Sequence, residues 1–309
     1  MNIINLKNIT KRYGEETVLN KVDIAVKKGE IFGILGKNGA GKTTLVKIIC
    51  TLLLPDEGKG TVMGLDLLKE DAEIRANVSL VAPTADVGVD PVLTVEENLL
   101  FWATVYGLRG KEKLKRVKDV LKILELYEVK DRWAMEISAG MRQKLGIGRA
   151  ILVHHPLLLL DEPTVKLDIR SKFSLRKFIK DVRDKFGTTI IVTTHYFEEA
   201  EKICDRVMIL NEGEVITVDT IQNLKLKFNP FERILIKVRD TSRIKDIKKY
   251  LPQYKIHISH NNIEFITPLF ENGMETILRS FDTMNIEIED ITSYTPTLEE
   301  IFLQVTEAK

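Results

Sequence analysis

The feature that most limits the fold is the run Gly36-Lys37-Asn38-Gly39-Ala40-Gly41-Lys42-Thr43-Thr44. It lies between an apolar stretch, Ile31–Leu35, and a helical pattern starting near Thr43. This fits GxxxxGK[ST] in the strand–loop–helix context that gives the pattern its meaning. Its glycines let the backbone curl until successive N–H groups point into one concavity, and the positive end of the following helix adds to the pull on an anion. Lys42 supplies a point charge for outer phosphates, and the Thr43 hydroxyl is placed to ligate Mg²⁺. A chance glycine turn would lack the flanking strand and helix. The expected ligand is a hydrolysable nucleotide.

A second element suits the same ligand. Leu157-Leu158-Leu159-Leu160-Asp161-Glu162 reads as a central strand ending in adjacent acids. In open α/β sheets, ligand groups gather at the carboxyl ends of strands, where the phosphate loop also lies. Asp161 is expected to support Mg²⁺ through its water shell, and Glu162 to polarise an attacking water. Two acids in a surface turn would not follow four leucines.

Residues 1 to about 222 alternate β-branched strands with amphipathic helices, predicting an α/β domain around a mainly parallel sheet. Buried strands are expected at Ile31–Leu35, Val78–Ala82, Leu157–Leu160 and Thr189–Thr194. Leu93–Glu136 reads as helical throughout, a subdomain inserted at about 93–140. Thr94 with Glu97 opens one of its helices as a capping box. Leu114, Val117, Leu121 and Leu124 fall on one face of another, and the Lys/Arg run from Lys111 to Lys118 forms its solvated side. His154 and His155 read as loop residues. Val207–Asn211 and Glu214–Val218 form a hairpin about Glu212-Gly213.

A charged break at Lys225–Glu232, interrupted by Asn229-Pro230, separates a second domain, 229–309. Its order is strand (Ile234–Val238), helix (Ser242–Leu251), strands (Lys255–Ser259, Ile263–Thr267), helix (Phe270–Met284) and strand (Ile286–Ile291). That βαββαβ order predicts a small ferredoxin-like α+β domain.

Composition excludes several classes. Lys plus Arg is 46 against 45 for Asp plus Glu, a net charge of +1, which argues against a nucleic-acid backbone binder. Cys50 and Cys204 stand far apart, so neither a disulfide framework nor a zinc site is expected. The N-terminus has no secretion pattern, and no apolar run approaches membrane-helix length. A soluble chain in a reducing cytoplasm is expected.

Two further stretches narrow the choice among phosphate-loop proteins. Ile137-Ser138-Ala139-Gly140-Met141-Arg142-Gln143-Lys144-Leu145 resembles the LSGGQ-type signature of ATP-binding cassette (ABC) proteins. His195, in TTHYFEEAEKICDRV, resembles that family's switch histidine, and the order and spacing of motifs fit across residues 1 to about 222. The resemblance implies a P-loop NTPase core in which Tyr13 stacks on adenine beside Val18, and His195 touches the γ-phosphate. It implies that the loop Ser138, Ala139, Gly140 and Met141 contacts ATP held by a second ABC subunit, with Asp168 in the loop at the dimer seam. A head-to-tail homodimer with ATP and Mg²⁺ is therefore expected. The tail Pro296-Thr297-Leu298-Glu299-Glu300-Ile301-Phe302-Leu303 resembles cassette ATPases that serve ABC-2-type membrane permeases, most of them exporters. The implied function is ATP-driven transport from the inner face of the cell membrane through a separately encoded polytopic permease. The alternative is a soluble cassette ATPase acting on ribosomes or nucleic acid; a single cassette without long coiled coils argues against it.

The chain departs from the family pattern at three places. Ala139 stands where the first signature glycine is usual, a tolerable change unless the residue needs positive φ. Pro83 or Thr84 occupies the slot of a glutamine that senses Mg²⁺. Lys166 lies within the seam loop Val165-Lys166-Leu167-Asp168 without explanation.

Overall fold

The computed structural model describes residues 1–82, 88–165, 167–239, 247–269 and 272–307. The chain divides into two units, Met1–Thr220 and Ile221–Lys309.

The first unit begins with two long strands, β1 (Asn2–Tyr13) and β2 (Glu16–Lys27), paired antiparallel about a tight turn. After β3 (Ile31–Leu35) and helix α1 (Lys42–Ile49), β4 (Glu57–Val62) pairs with β1, and the short β5 (Leu65–Asp66) completes a sheet in the order β2-β1-β4-β5. This antiparallel layer was not foreseen from sequence. Its period-2 signal is blurred by register shifts between Leu6 and Ile9 and between Ile9 and Lys11, which break the in–out alternation.

Helix α2 (Asp71–Ala76) leads to β6 (Val78–Val81), one residue shorter than expected. Helices α3 (Val95–Val105), α4 (Gly110–Ile123) and α5 (Ala139–Ile151) form the helical subdomain, with short 3₁₀ turns at Tyr127–Val129 and Ala134–Glu136. The expected capping box is present: Glu97 N donates to Thr94 Oγ1 (3.1 Å), and Thr94 N donates to Glu97 Oε2 (2.8 Å). On α4 the apolar face is Val117, Val120, Leu121 and Leu124, whereas Leu114, one turn into the helix, is exposed. Nor is the basic run wholly solvated. Arg116 turns inward, donating to Leu152 O (2.7 Å) and Ile151 O (2.5 Å), and so satisfies carbonyls that end α5. His154 and His155 lie in the loop that follows.

Strand β7 (Leu157–Asp161), helix α6 (Ile169–Phe186), β8 (Thr189–Thr194), helix α7 (Phe197–Ile203), β9 (Arg206–Asn211) and β10 (Glu214–Thr220) complete the unit. The main sheet runs β10-β9-β3-β8-β7-β6, parallel except for the edge hairpin β9–β10. Every residue of β3, β7 and β8 is buried, as an α/β sheet covered on both faces requires. One apolar cluster spans the layers, from Leu6, Val22 and Ile24 of the antiparallel sheet through Leu45 and Ile48 of α1 to Phe32, Leu159 and Ile191. This packing holds α1, and the loop before it, against the carboxyl ends of β3, β8 and β7.

The second unit starts with helix α8 (Ile221–Phe228), which takes up the first half of the expected break; the Asn229-Pro230 pair ends it. Strand β11 (Phe231–Val238), helix α9 (Ile247–Tyr250), β12 (Lys255–Ser259), β13 (Asn262–Pro268), helix α10 (Gly273–Thr283), β14 (Ile288–Tyr294) and helix α11 (Leu298–Glu307) follow. Residues 242–246 and 270–271 of the two expected helices lie outside the described residues. The four strands pair antiparallel in the order β12-β13-β11-β14, the split-βαβ arrangement. One sheet face, with Ile234, Ile236, Ile263 and Phe265, packs on Ile277 and Phe281 of α10. Helix α8 packs against α11.

Candidate functional site

At the carboxyl edge of the main sheet, β8 lies between β3 and β7, so the loops leaving these three strands converge. The loop after β3 is shaped by two glycines in particular. Gly41 caps α1 at φ 99°, and a β-carbon there would lie 2.7 Å from Leu19 Cδ2 and 2.8 Å from Val18 O. A β-carbon on Gly36 would lie 2.3 Å from Leu210 O. Neither position accepts a side chain without moving the backbone of a neighbouring strand. No side chain caps the start of α1, so the helix presents its positive end to the loop. Lys42 is buried, and its ammonium donates to Gly36 O (2.9 Å) and Lys37 O (3.0 Å) and lies 3.2 Å from Glu162 Oε1.

Thr43 Oγ1 donates to Asp161 Oδ2 (2.8 Å), and Thr193 Oγ1 donates to Asp161 Oδ1 (2.5 Å). Asp161 is thus buried with both oxygens engaged. Glu162 leaves the strand in the left-handed region, at φ 50°. Its N–H donates to Thr193 O (3.1 Å) and Thr193 Oγ1 (3.0 Å), ties that offset a conformation costing about 1–3 kcal/mol. The turn directs the Glu162 carboxylate between Lys42 and His195, whose Nδ1 lies 2.7 Å from Glu162 Oε2. The His195 ring also packs against Tyr196 in a tilted arrangement, centroids 4.1 Å apart.

Gly41, Lys42, Thr43, Glu162 and His195 line one cleft of about 500 Å³ with Tyr13, Glu16, Val18, Asn38, Gly39, Thr44 and Val165, and Asp161 lies behind its wall, bonded to Thr43. Tyr13, at the end of β1, is half exposed, with Lys11 Nζ 5.8 Å from its ring centre. The structure therefore brings the expected phosphate loop, both acids, His195, Tyr13 and Val18 together. A divalent cation fits the donor set. A hydroxyl and a carboxylate touch at Thr43–Asp161, and no group of three or more His, Cys, Asp or Glu suited to a metal occurs among the described residues. Mg²⁺ suits so sparse a set, because it keeps several waters and takes its other ligands from phosphates.

Ser138, Ala139, Gly140 and Met141 do not line this cleft. Ser138 caps α5, its Oγ accepting from Met141 N (3.3 Å). Ala139 is the first helical residue and has no positive φ, so its methyl is accommodated. Gly140 is the constrained member, since a β-carbon there would lie 2.3 Å from Ser171 Oγ. Asp168 caps α6, accepting from Ser171 N (3.0 Å) and Ser171 Oγ (2.6 Å), bonds that hold its carboxyl below the usual carboxylate range. Pro83, Thr84 and Lys166 lie outside the described residues.

Sequence reasoning missed the polar layer behind the cleft. Thr193 links Asp161 to the Glu162 backbone, and Thr164, Thr194 and the buried Glu199 form a second cluster beside it. The signal available was a strand closing on consecutive threonines, where an all-buried strand favours apolar residues.

Residues 19–165 match the family described as ABC transporter. The chain is 32% identical over 316 residues to the linearmycin resistance ATP-binding protein LnrL of Bacillus subtilis, covering 98% of each. It is 32% identical to the daunorubicin resistance ATP-binding protein DrrA2 of Streptomyces coeruleorubidus, covering 98% of this chain and 94% of that one. Among solved structures, an ATP-binding subunit of an ABC transporter superposes with a TM-score of 0.63 at 30% identity, covering 73% of this chain and 93% of that one. A dimeric ATP-binding cassette in a post-hydrolysis state with ADP and Pi superposes with a TM-score of 0.62 at 29% identity, covering 71% of this chain and 98% of that one.

Proposed function

The chain belongs to the ATP-binding ATPase subunits of the ABC transporter family, and from that premise we propose that two copies close head to tail around ATP and drive export through a separate ABC-2-type membrane permease. The observation that carries the reading is the convergence of Lys42, the Thr43–Asp161 pair and the Glu162–His195 pair on one cleft. Relatives matching over nearly the whole chain carry names of drug resistance, which favours transport over a ribosomal or nucleic-acid role and suggests a drug as cargo. Among the described residues no helix is long and apolar enough to cross a membrane, so the cargo path falls to the permease, with this chain on the inner face.

In this reading the phosphates of ATP occupy the loop Gly36–Thr44, and adenine stacks on Tyr13 beside Val18. Ser138 and Gly140, at the start of α5, meet the ATP of the second subunit, and the loop around Asp168 lies at the seam. Held by Thr43 and, through water, by Asp161, Mg²⁺ would neutralise charge on the phosphate oxygens. Glu162 takes a proton from water as the water oxygen bonds to the γ-phosphorus and the bond to the ADP oxygen breaks. Lys42 and the His195 imidazole stabilise the charge carried by the departing phosphoryl group. Phosphate release at millimolar ATP tests the reading. Glu162→Gln is expected to retain ATP and to accumulate as a dimer by size-exclusion chromatography; a variant that turns over like the parent removes Glu162 from the chemistry.

A further inference from the structure

Behind the cleft lies a carboxyl that this chemistry does not use. Glu199, on α7, is fully buried. Its Oε2 accepts from Thr164 Oγ1 (2.7 Å) and from Thr194 Oγ1 (2.8 Å). Thr194 Oγ1 in turn accepts from Tyr196 N (2.9 Å), so the chain of bonds spans the backbone on both sides of His195. Thr164 lies just beyond Glu162 in the loop that continues to Asp168.

The location matters because ordinary sheet pairing has ended there. The β7–β8 ladder stops at Asp161 and Thr193, and beyond it the two loops no longer pair as strands. One carries Glu162 in a left-handed conformation, the other carries His195. Glu199 supplies the next link between them.

We propose that Glu199 is a positioning residue for ATP hydrolysis, joining Thr164 to Thr194 and thereby fixing Glu162 against His195. The inference rests on the proposed ATPase reading. A residue present only to fill space would be apolar here. Glu199 instead keeps a carboxyl whose other oxygen, Oε1, has no hydrogen-bond partner, and burial pushes its pKa above the usual carboxylate range. Retaining a polar group at such a position is explained by the two hydroxyls it holds. Both accept-only bonds go to one oxygen, so an amide oxygen can take its place while an alkyl group cannot.

The test compares Glu199→Gln with Glu199→Leu, two uncharged side chains of similar size that differ in the acceptor. Glu199→Leu is expected to lower kcat for ATP about tenfold or more with KM within about twofold of the parent, since the loop 36–44 is untouched. Glu199→Gln is expected to recover most of that loss. Thr164→Val combined with Glu199→Leu is expected to lose no more than Glu199→Leu by itself, because both remove one link. If Glu199→Leu does not fold, Thr164→Val and Thr194→Val, each near-isosteric, carry the same kcat-only expectation. The proposal is overturned if Glu199→Leu turns over like the parent, if the loss is in KM, if Gln rescues nothing, or if the Thr164 and Glu199 losses add. Those results leave the ATPase reading standing. A parent chain that releases no phosphate defeats that reading and this inference with it.

Discussion

Two helices of this chain begin on small residues, and they are finished in opposite ways. Helix α1 starts from Gly41 with no side-chain cap, inside a cleft whose other walls are Glu162, His195 and Tyr13. Helix α5 starts from Ser138, which caps its own first turn, away from that cleft. The first terminus is uncapped and faces the groups proposed to carry hydrolysis. The second is already satisfied and offers a modest further contact. Strong binding should therefore depend on α1, and the α5 terminus should matter for closure between copies.

The largest effect is expected at α1. Lys42→Ala should reduce ATP hydrolysis by about 10²-fold or more and abolish binding of a fluorescent ATP analogue. Unchanged affinity would erase the contrast between the two helices. Next comes Gly140→Val at α5. Crowding against Ser171 should cost about 1–3 kcal/mol in denaturant unfolding and impair turnover, while nucleotide affinity of the isolated chain stays near the parent value. A loss of affinity in the isolated chain would mean that α5 reaches its own cleft. Ser138→Ala should cost less, about 0.5–2 kcal/mol for the lost cap, again sparing nucleotide binding.

A smaller effect concerns pH. Glu199 has its pKa raised in the fold by burial, with the Glu162 charge adding to the rise and Arg176 and the hydroxyls of Thr164 and Thr194 opposing it. The folded chain therefore holds this proton more tightly than the unfolded chain. Its contribution is fully present below the unfolded carboxylate value and is lost as pH rises through the folded one. Glu199→Gln should accordingly gain stability relative to the parent as pH rises above the ordinary carboxylate range, measured as a difference in Tm. A constant difference would indicate that Glu199 is ionised in the fold. Smallest of all, Cys50 and Cys204 are both buried with thiols pushed up by burial, so alkylation of the native chain should wait on unfolding.

The cleft was legible because its main parts are contiguous in sequence and chemically demanding. The loop Gly36–Thr44 and the run ending in Asp161-Glu162 each carry their context with them. Gly41 and Gly36 show why: their approaches to Leu19 and Leu210 forbid substitutes. The Thr164–Thr194–Glu199 cluster was not legible, since Thr164 reaches Glu199 from 35 residues away and nothing local marks that contact. Arg116 misled for a related reason. Its charge fits a solvated helix face, and only the packing of α4 on α5 turns it toward the Ile151 and Leu152 carbonyls. In the same way, α4 periodicity gave the right face but not its end, leaving Leu114 exposed and Val120 buried. Long-range contacts decide such cases, and local pattern does not carry them.

The packing of α8 on α11 has an evolutionary corollary. These are the first and last helices of the second unit, so its entrance and exit are clasped together. An appendage closed on itself in this way can drift in sequence without disturbing the fold of the unit that precedes it.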